Sequence, residues 1–441
     1  MPTPKKIHFI GIGGIGISGL ARYLRAQGIE VSGSDIRENA ITQSLQALGI
    51  PIAIPHSASA ITDQDVVIHS AIIKQNNVEI LAAKERGISV LSRKEALPMI
   101  LSHKKVYAVA GAHGKSTTSA ILSTLLPDSS AIIGAISKEF GSNVREIKSE
   151  SVVFEADESD QSFLHTNPYC SIVVNAEPEH LENYHNDAYL LRSAYAQFLL
   201  NAPKRVINAE DPYLRTLEEL RAVRLFPCKD ITDVSYELVD GEPYTRFCLR
   251  DLGSFRVWGI GEHIALDAAL ALLSLVGEVD LETLRVRLAD YRGIKKRFDV
   301  IQKGQLIIID DYAHHPTEIE TTLVAVHRYR ELLGGRDLCV IWQPHKYSRL
   351  AANLERFKTC FGESMDLVIL PVYAVGEAPL DIDMALEFAH YRPTMASHIV
   401  RVNNGNDQRI LIMQGETIVR TIDSGMVVGF GAGDITNMLR G

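Results

Sequence analysis

The sequence predicts an α/β protein of three domains in series, each built on a parallel sheet, with a small antiparallel insertion in the second. Three observations predict it. Short apolar runs alternate with helix-like runs along nearly the whole chain, the pattern of βαβ units. Two of these runs end in glycine-rich loops, Gly11-Ile-Gly13-Gly14-Ile-Gly16 and Gly111-Ala112-His113-Gly114-Lys115-Ser116. The alternation lapses around 102–105 and again around 291–293. A chain of 441 residues is too long for one ordinary domain, so the lapses are read as boundaries, giving domains 1–104, 105–293 and 294–441.

In the first domain, 6–10 reads as a strand, 15–27 as a helix and 29–35 as a second strand. A helix near 40–48, strand 65–69, helix 76–86 and strand 88–91 follow. Gly11, Gly13, Gly14 and Gly16 form a GxGxxG loop between strand and helix. Such glycines permit a tight turn, close approach of backbone to a diphosphate, and close helix–strand packing. Asp35 ends the second strand, where a ribose-binding acid sits in this fingerprint. The loop therefore specifies a diphosphate-bearing nucleotide. NAD and a UDP-sugar offer the same diphosphate, so both stay open at this point.

The second domain opens with strand 105–110, the loop 111–116 and helix 117–126. Strands 151–155 and 171–175, a helix near 187–200, short alternating runs over 232–258, and helices 264–276 and 281–288 complete it. The loop is a shortened phosphate loop: Val109 stands where the first glycine of GxxxxGK[ST] belongs. Its backbone donors, the Lys115 ammonium and the Ser116 hydroxyl still suit a nucleoside triphosphate and Mg²⁺. Phosphoryl transfer also requires metal ligands at neighbouring strand ends. Glu155 in Glu155-Ala-Asp157-Glu158-Ser159-Asp160 and His180 in Asn175-Ala-Glu177-Pro-Glu179-His180 follow two such strands.

The third domain reads as strand 306–310, helix 317–333, strand 338–343, helix 350–361, strand 366–370 and strand 426–430. Asp310-Asp311-Tyr312-Ala-His314-His315 and Gln343-Pro-His345-Lys346-Tyr347-Ser-Arg349 follow two of its strands. Ligands in open α/β sheets bind outside the carboxyl ends of strands, so these imidazoles, cations and carboxylates are expected to converge. Arg297 lies just past the second boundary, from where it is expected to reach a triphosphate.

Bulk properties narrow the partners. The formal charge of −9 argues against nucleic acid or an anionic membrane. The five cysteines form no CxxC or metal-ligand pair, which favours reduced thiols in a cytoplasmic protein. Glycines and His8 interrupt the apolar stretch behind Lys5 and Lys6, so it reads as neither a signal peptide nor a membrane span.

Taken together, GIGGIGISGLA at 11–21, HSAI at 69–72, GAHGKSTT at 111–118, EADESD at 155–160, EPEHLENY at 177–184, DDYAHHPTEI at 310–319, QPHKYSRL at 343–350 and GAGDI at 431–435 resemble the Mur ligase family. These are ATP-dependent amide-forming enzymes of peptidoglycan precursor synthesis. The resemblance runs through nearly the whole chain. It implies a Rossmann-like UDP-substrate domain, a central P-loop ATPase domain and a Rossmann-like C-terminal domain for the incoming amino acid. It implies ATP and Mg²⁺ as cofactors, and UDP-N-acetylmuramate and L-alanine as substrates. Gly11, Gly13, Gly14, Gly16, Asp35 and Ser70 would hold the UDP-substrate. Gly111, Ala112, His113, Gly114, Lys115, Ser116, Thr117, Arg297 and Asp311 would hold ATP. Ser116, Glu155 and His180 would serve Mg²⁺, and Tyr312, His314, His345, Lys346 and Arg349 the amino acid. Lys115, Glu155, His180, Arg297 and His314 would carry the catalysis, with His314 or His345 as base. Ile264 and Asp267 depart from the family's two Asn, one of which serves adenine, so no adenine ligand is assigned. Two rival readings are a ligase that joins a preformed tripeptide to the same UDP-sugar, and a nicotinamide-dependent oxidoreductase with a regulatory ATP module.

Overall fold

The computed structural model describes residues 4–179, 181–362, 366–405 and 407–441. The chain divides into two compact units. One comprises Met1–Val234, Arg246–Val257 and His263–Arg292, the other Ser235–Thr245, Trp258–Glu262 and Gly293–Gly441.

The first unit holds two sheets. One is a five-stranded parallel sheet in the order Ile52–Ala53, Glu30–Ser34, Lys6–Ile10, Val66–His69, Ser89–Ser92. Its central strand is buried at four of five positions, because helices cover both faces of a parallel sheet. The chain crosses from one side of Lys6–Ile10 to the other, so the first glycine loop leaves the sheet at its switch point. The other sheet has the order Val223–Leu225, Lys204–Asn208, Cys170–Val173, Lys105–Ala110, Ser151–Glu155, Ser130–Ile132, Val144–Arg145. It is parallel among the pairs Lys105–Ala110 makes with Ser151–Glu155 and Cys170–Val173, and Val144–Arg145 joins antiparallel at one edge. The second loop therefore leaves the middle of this sheet, flanked by the strand ends that carry Glu155 and Asn175. Apolar side chains of both sheets and of the helices on them, from Phe9 and Leu20 to Ile132 and Phe154, form one continuous core.

Below the first loop lies a buried polar network. Glu79 is fully buried and accepts from Ser34 Oγ at 2.5 Å and the Ser57 N–H at 2.8 Å, with His8 Nε2 at 3.3 Å. Burial alone would raise its carboxyl, but the His8 and Ser34 contacts hold it below the usual glutamate value. Glu79→Ala strips three residues of a shared acceptor, and leaving buried polar groups unpaired costs about 3 kcal/mol. Urea unfolding is expected to show that loss.

The second unit is built on a six-stranded sheet, ordered Asp299–Gln302, Leu306–Asp311, Gly425–Phe430, Leu338–Trp342, Asp366–Ile369, Thr394–Met395. The first pairing is antiparallel and the remainder parallel. The run read as an insertion at 232–258 forms three consecutive strands, Ile231–Val239, Glu242–Leu249 and Ser254–Trp258. Asp240 and Gly241 connect the first two with φ of 53° and 75°, the left-handed pair that a two-residue hairpin requires.

Several elements differ from the sequence reading. The helix after the second loop starts at Lys115, two residues earlier than predicted. The predicted helix 350–361 is two short helices, Tyr347–Ala352 and Leu354–Phe357. They break at Asn353, whose carboxamide bonds back to the Arg349 carbonyl. Helix Arg93–Ile100 was not predicted, because Pro98 lies inside it and proline ordinarily ends a helical pattern. A three-stranded antiparallel sheet, His398–Asn404, Asp407–Gln414 and Thr417–Ile422, was missed as well. Its outer strand buries one residue of six, so the chain there lacks the apolar run that marked the other strands.

Candidate active site

A helix leaves its first N–H groups without intrahelical partners. Most longer helices of the first unit satisfy them with side chains: Asn39, Asn77, Ser92, Asp187 and Asp280 cap five of these helices. The two helices behind the glycine loops do not. Ile15–Ala26 and Lys115–Leu125 start at Gly14 and Gly114, with no side-chain cap and no acid in the first turn. Both are left open to an anion, the arrangement suited to phosphate.

The first loop is braced from below. Gly11, at φ +79°, and Ile12 donate to the Ser34 carbonyl, and Gly13 donates to Asp35 Oδ2 at 2.8 Å. A side chain at Gly13 would meet Asp35 Oδ2 at 2.8 Å and Asn39 Nδ2 at 2.7 Å. Sequence reasoning set Asp35 against a ribose; here its oxygens accept the N–H groups of Gly13 and Ile36 and hold the loop's shape. Gly14 is the N-cap of the helix Ile15–Ala26. Gly16 follows in the first turn of that helix. A Cβ there would lie 3.4 Å from Arg93 Nε, so this glycine makes room for a guanidinium. On the neighbouring strand Gly33 leaves room for the loop itself, since a Cβ there would crowd Ile12 and the Phe9 carbonyl. Ser70 N–H bonds the Ile10 carbonyl, which sets the Ser70 side chain beside Gly11.

The second loop gathers most of its predicted residues. Gly111, at φ +145°, packs against Asn175, and Gly114, at φ +81°, against Val174 and Asp267. His113 and Asn175 bond reciprocally, each amide side or backbone donor at 3.0 Å. Lys115 Nζ donates to Glu158 Oε1 at 2.9 Å and to the Gly111 and Ala112 carbonyls. Burial would lower this ammonium, but Glu158 and Glu155 outweigh it and hold its pKa above the ordinary lysine value. Ser116 Oγ donates to Glu155 Oε1 at 3.0 Å, and Glu155 Oε2 accepts from Gly134 N–H. Thr117 is half-buried in the first helical turn. His180 lies outside the described residues.

The third-sheet cluster also converges. Tyr312 and His314 meet edge to face at 5.4 Å, His314 and His345 at 5.8 Å, and His345 stacks on Tyr373 at 5.9 Å. His314 Nδ1 contacts the Tyr312 carbonyl at 3.0 Å. A carbonyl only accepts, so Nδ1 carries the proton and Nε2 the lone pair. His345 is the reverse: Arg349 Nη1 donates to its Nδ1 at 2.8 Å, which leaves Nε2 as the N–H. Burial lowers both imidazoles, His345 to about 4 with Arg349 adding to the shift. Arg297 pairs with Glu318 at 3.3 Å and lies over the Tyr312 ring. Lys346, at φ +66°, bonds the Tyr373 carbonyl through its N–H.

Asp311 is 3% exposed and turned inward: it accepts from the Phe298 N–H at 2.7 Å and the Ala313 N–H at 2.8 Å. Burial pushes its carboxyl up to about 6. A carboxyl raised on folding binds protons more tightly when folded, so its contribution is present below the unfolded pKa and is lost as pH rises through about 6. Asp311→Asn is expected to remove this dependence. Relative to the wild type, the variant should gain about 2–3 kcal/mol between pH 4 and pH 7 in denaturant titrations.

Sequence reasoning gave no separate part to Glu158, Asn175, Arg93 or Asp267. Glu158 is 1% exposed and faces Lys115; the signal was an acid three residues past Glu155 on a strand exit. Asp267 accepts from Thr118 Oγ1 at 3.0 Å beside Gly114, a contact between residues far apart in sequence that no local pattern announces. Among the described residues, no group of three or more His, Cys, Asp or Glu side chains could hold a metal ion. No helix among them is long and apolar enough to cross a membrane.

Three family models match the chain: "Mur ligase family, catalytic domain" over 6–105, "Mur ligase middle domain" over 109–228 and "Mur ligase, glutamate ligase domain" over 296–417. A UDP-N-acetylmuramate--L-alanine ligase of Helicobacter pylori (strain P12) is 56% identical over 99% of this chain and 96% of its own. One of the same name from Campylobacter curvus (strain 525.92) is 52% identical over 99% of both. The crystal structure of the UDP-N-acetylmuramate-alanine ligase of Thermotoga maritima matches with a TM-score of 0.77 at 28% identity, over 99% of this chain and 97% of that one. With three family models that together match more than half of the chain and relatives more than half identical over nearly their full length, the chain belongs to the Mur ligase family.

Proposed function

We propose that this protein joins L-alanine to the carboxylate of UDP-N-acetylmuramate at the expense of ATP, through an acyl phosphate, in peptidoglycan precursor synthesis. The observation that carries the reading is the pair of uncapped helix N-termini, each behind its own glycine loop within one compact unit. One suits the diphosphate of a UDP-sugar, the other a triphosphate. The relatives' names supply the identities of the substrates. We further propose a cytoplasmic location and functional domains at 1–104, 105–293 and 294–441.

The residues present fit ATP and Mg²⁺. Ser116 Oγ and Glu155 offer hard oxygen donors side by side, and Mg²⁺ prefers one or two protein oxygens completed by phosphate and water. His180 is assigned to the same group. When bound, the cation neutralises charge on the phosphate oxygens. A carboxylate is a poor electrophile, so its phosphorylation supplies a leaving group. Lys115 moves from Glu158 and the loop carbonyls to the phosphates, and Gly111–Thr117 donates backbone N–H groups. Arg297 balances charge on the transferring phosphoryl group. The amine of L-alanine attacks only when neutral. His314 takes its proton at Nε2, since Nδ1 already carries one, while the Nε2–H of His345, with Lys346, Arg349 and Tyr312, orients the amino acid. The tetrahedral intermediate then collapses to amide and phosphate.

The test is product identity. With ATP, Mg²⁺, UDP-N-acetylmuramate and L-alanine, mass spectrometry should find the alanyl amide together with equimolar ADP and phosphate. Turnover only with a preformed tripeptide in place of L-alanine would reject the reading in favour of the recycling ligase.

A further inference from the structure

Arg93 opens helix Arg93–Ile100 on the first sheet, held there by the capping box of Ser92 and Glu95. Its Nη1 reaches the neighbouring sheet's acidic turn, donating to Asp160 Oδ2 at 3.1 Å and to Ser162 Oγ at 3.2 Å. Its other edge is unspent. Nε is buried without a hydrogen-bond partner, and among the described residues Nη2 makes no hydrogen bond either. A buried charged donor left unpaired is costly and calls for an explanation.

The unspent edge faces the first glycine loop. Nε and Nη2 lie 3.4 and 3.7 Å from where a Cβ on Gly16 would stand. Gly16 is the second residue of a helix whose N-terminus has no side-chain cap. Nε–H and Nη2–H point the same way from a planar guanidinium and form the fork that takes two oxygens of one oxyanion.

We propose that Arg93 binds an oxyanion of the UDP-substrate through this fork while Nη1 stays on Asp160 and Ser162. The assignment rests on the first loop's reading as the UDP-substrate site. Arg93 then ties the substrate to the segment Glu155–Asp160, which carries the Ser116 and Lys115 partners Glu155 and Glu158. Gly16 is glycine because a methyl group would stand between the fork and the loop. The oxyanion is the diphosphate or the muramic carboxylate; the chemistry of the contact is the same.

Steady-state kinetics and calorimetric titration of the full chain test this. Arg93→Lys keeps the charge and loses the fork. It is expected to raise the KM for UDP-N-acetylmuramate about 10- to 100-fold, with the KM for ATP and for L-alanine moving less than about threefold. Gly16→Ala, which leaves Arg93 intact, should raise the same KM selectively. If UDP alone loses affinity for Arg93→Lys in parallel, the contact is to diphosphate; if only the full substrate does, it is to carboxylate. An unchanged KM in both variants, or a joint rise of all three KM values with a lowered melting temperature, overturns the proposal. Failure of the wild type to form the alanyl amide would reject the reaction assigned above, and the UDP titrations would still report on the Arg93 contact.

Discussion

Lys115→Ala is expected to lower kcat by about a thousandfold, the scale on which removing one preorganised charge from a transition state acts. The affinity for UDP-N-acetylmuramate should stay within about threefold of the wild type, because the first loop has its own helix N-terminus. The same substitution strips Glu158 of its cation. Glu158 is 1% exposed and burial already raises its pKa, so without Lys115 it rises further. A carboxyl raised on folding is tolerated at low pH and opposes folding as pH increases. The stability deficit of Lys115→Ala should therefore grow from pH 5 to pH 8, towards about 3 kcal/mol. Adding Glu158→Gln should restore most of the stability and none of the activity. Recovery of activity in the double variant would mean that Lys115 serves the fold and not the chemistry.

His314→Ala is expected to lower kcat/KM by about 100-fold or more, the usual contribution of a positioned base. The pH profile separates a base from a packing residue. Burial holds the His314 imidazole below its ordinary value, so wild-type kcat/KM should fall on an acid limb centred below the ordinary histidine value of about 6.5. In the variant that limb should vanish. His345→Ala should retain the limb, because its Nδ1 is occupied by Arg349 and its Nε2 bears the proton. Loss of the limb in His345→Ala, with retention in His314→Ala, would exchange their roles.

The α/β alternation and both glycine loops were legible because local patterns encode them. A strand, glycines and a helix within twenty residues need no tertiary knowledge. The convergence of 310–315 with 343–349 was legible for a related reason: parallel strands put their carboxyl ends on one side, so residues just past Leu306–Asp311 and Leu338–Trp342 meet. What was hidden depends on contacts between distant segments. Nothing near Arg93 signals that it lies over Gly16, and nothing near Asp267 signals Gly114. The backbone contacts of Asp35 and Asp311 were hidden because motif position does not say which backbone N–H groups a carboxylate accepts from. Helix Arg93–Ile100 was concealed by Pro98, and the sheet of His398–Ile422 by an outer strand that buries a single side chain.

In the proposed reaction the second loop delivers a phosphoryl group to the carboxylate of a substrate held by the first. Labelling that carboxylate of UDP-N-acetylmuramate with ¹⁸O follows the transfer itself. After complete turnover with ATP and L-alanine, one ¹⁸O atom should appear in each inorganic phosphate released from doubly labelled substrate, and the other should remain in the amide carbonyl. Amide formation with both labels absent from phosphate would contradict phosphorylation of the carboxylate and with it the division of labour between the two loops.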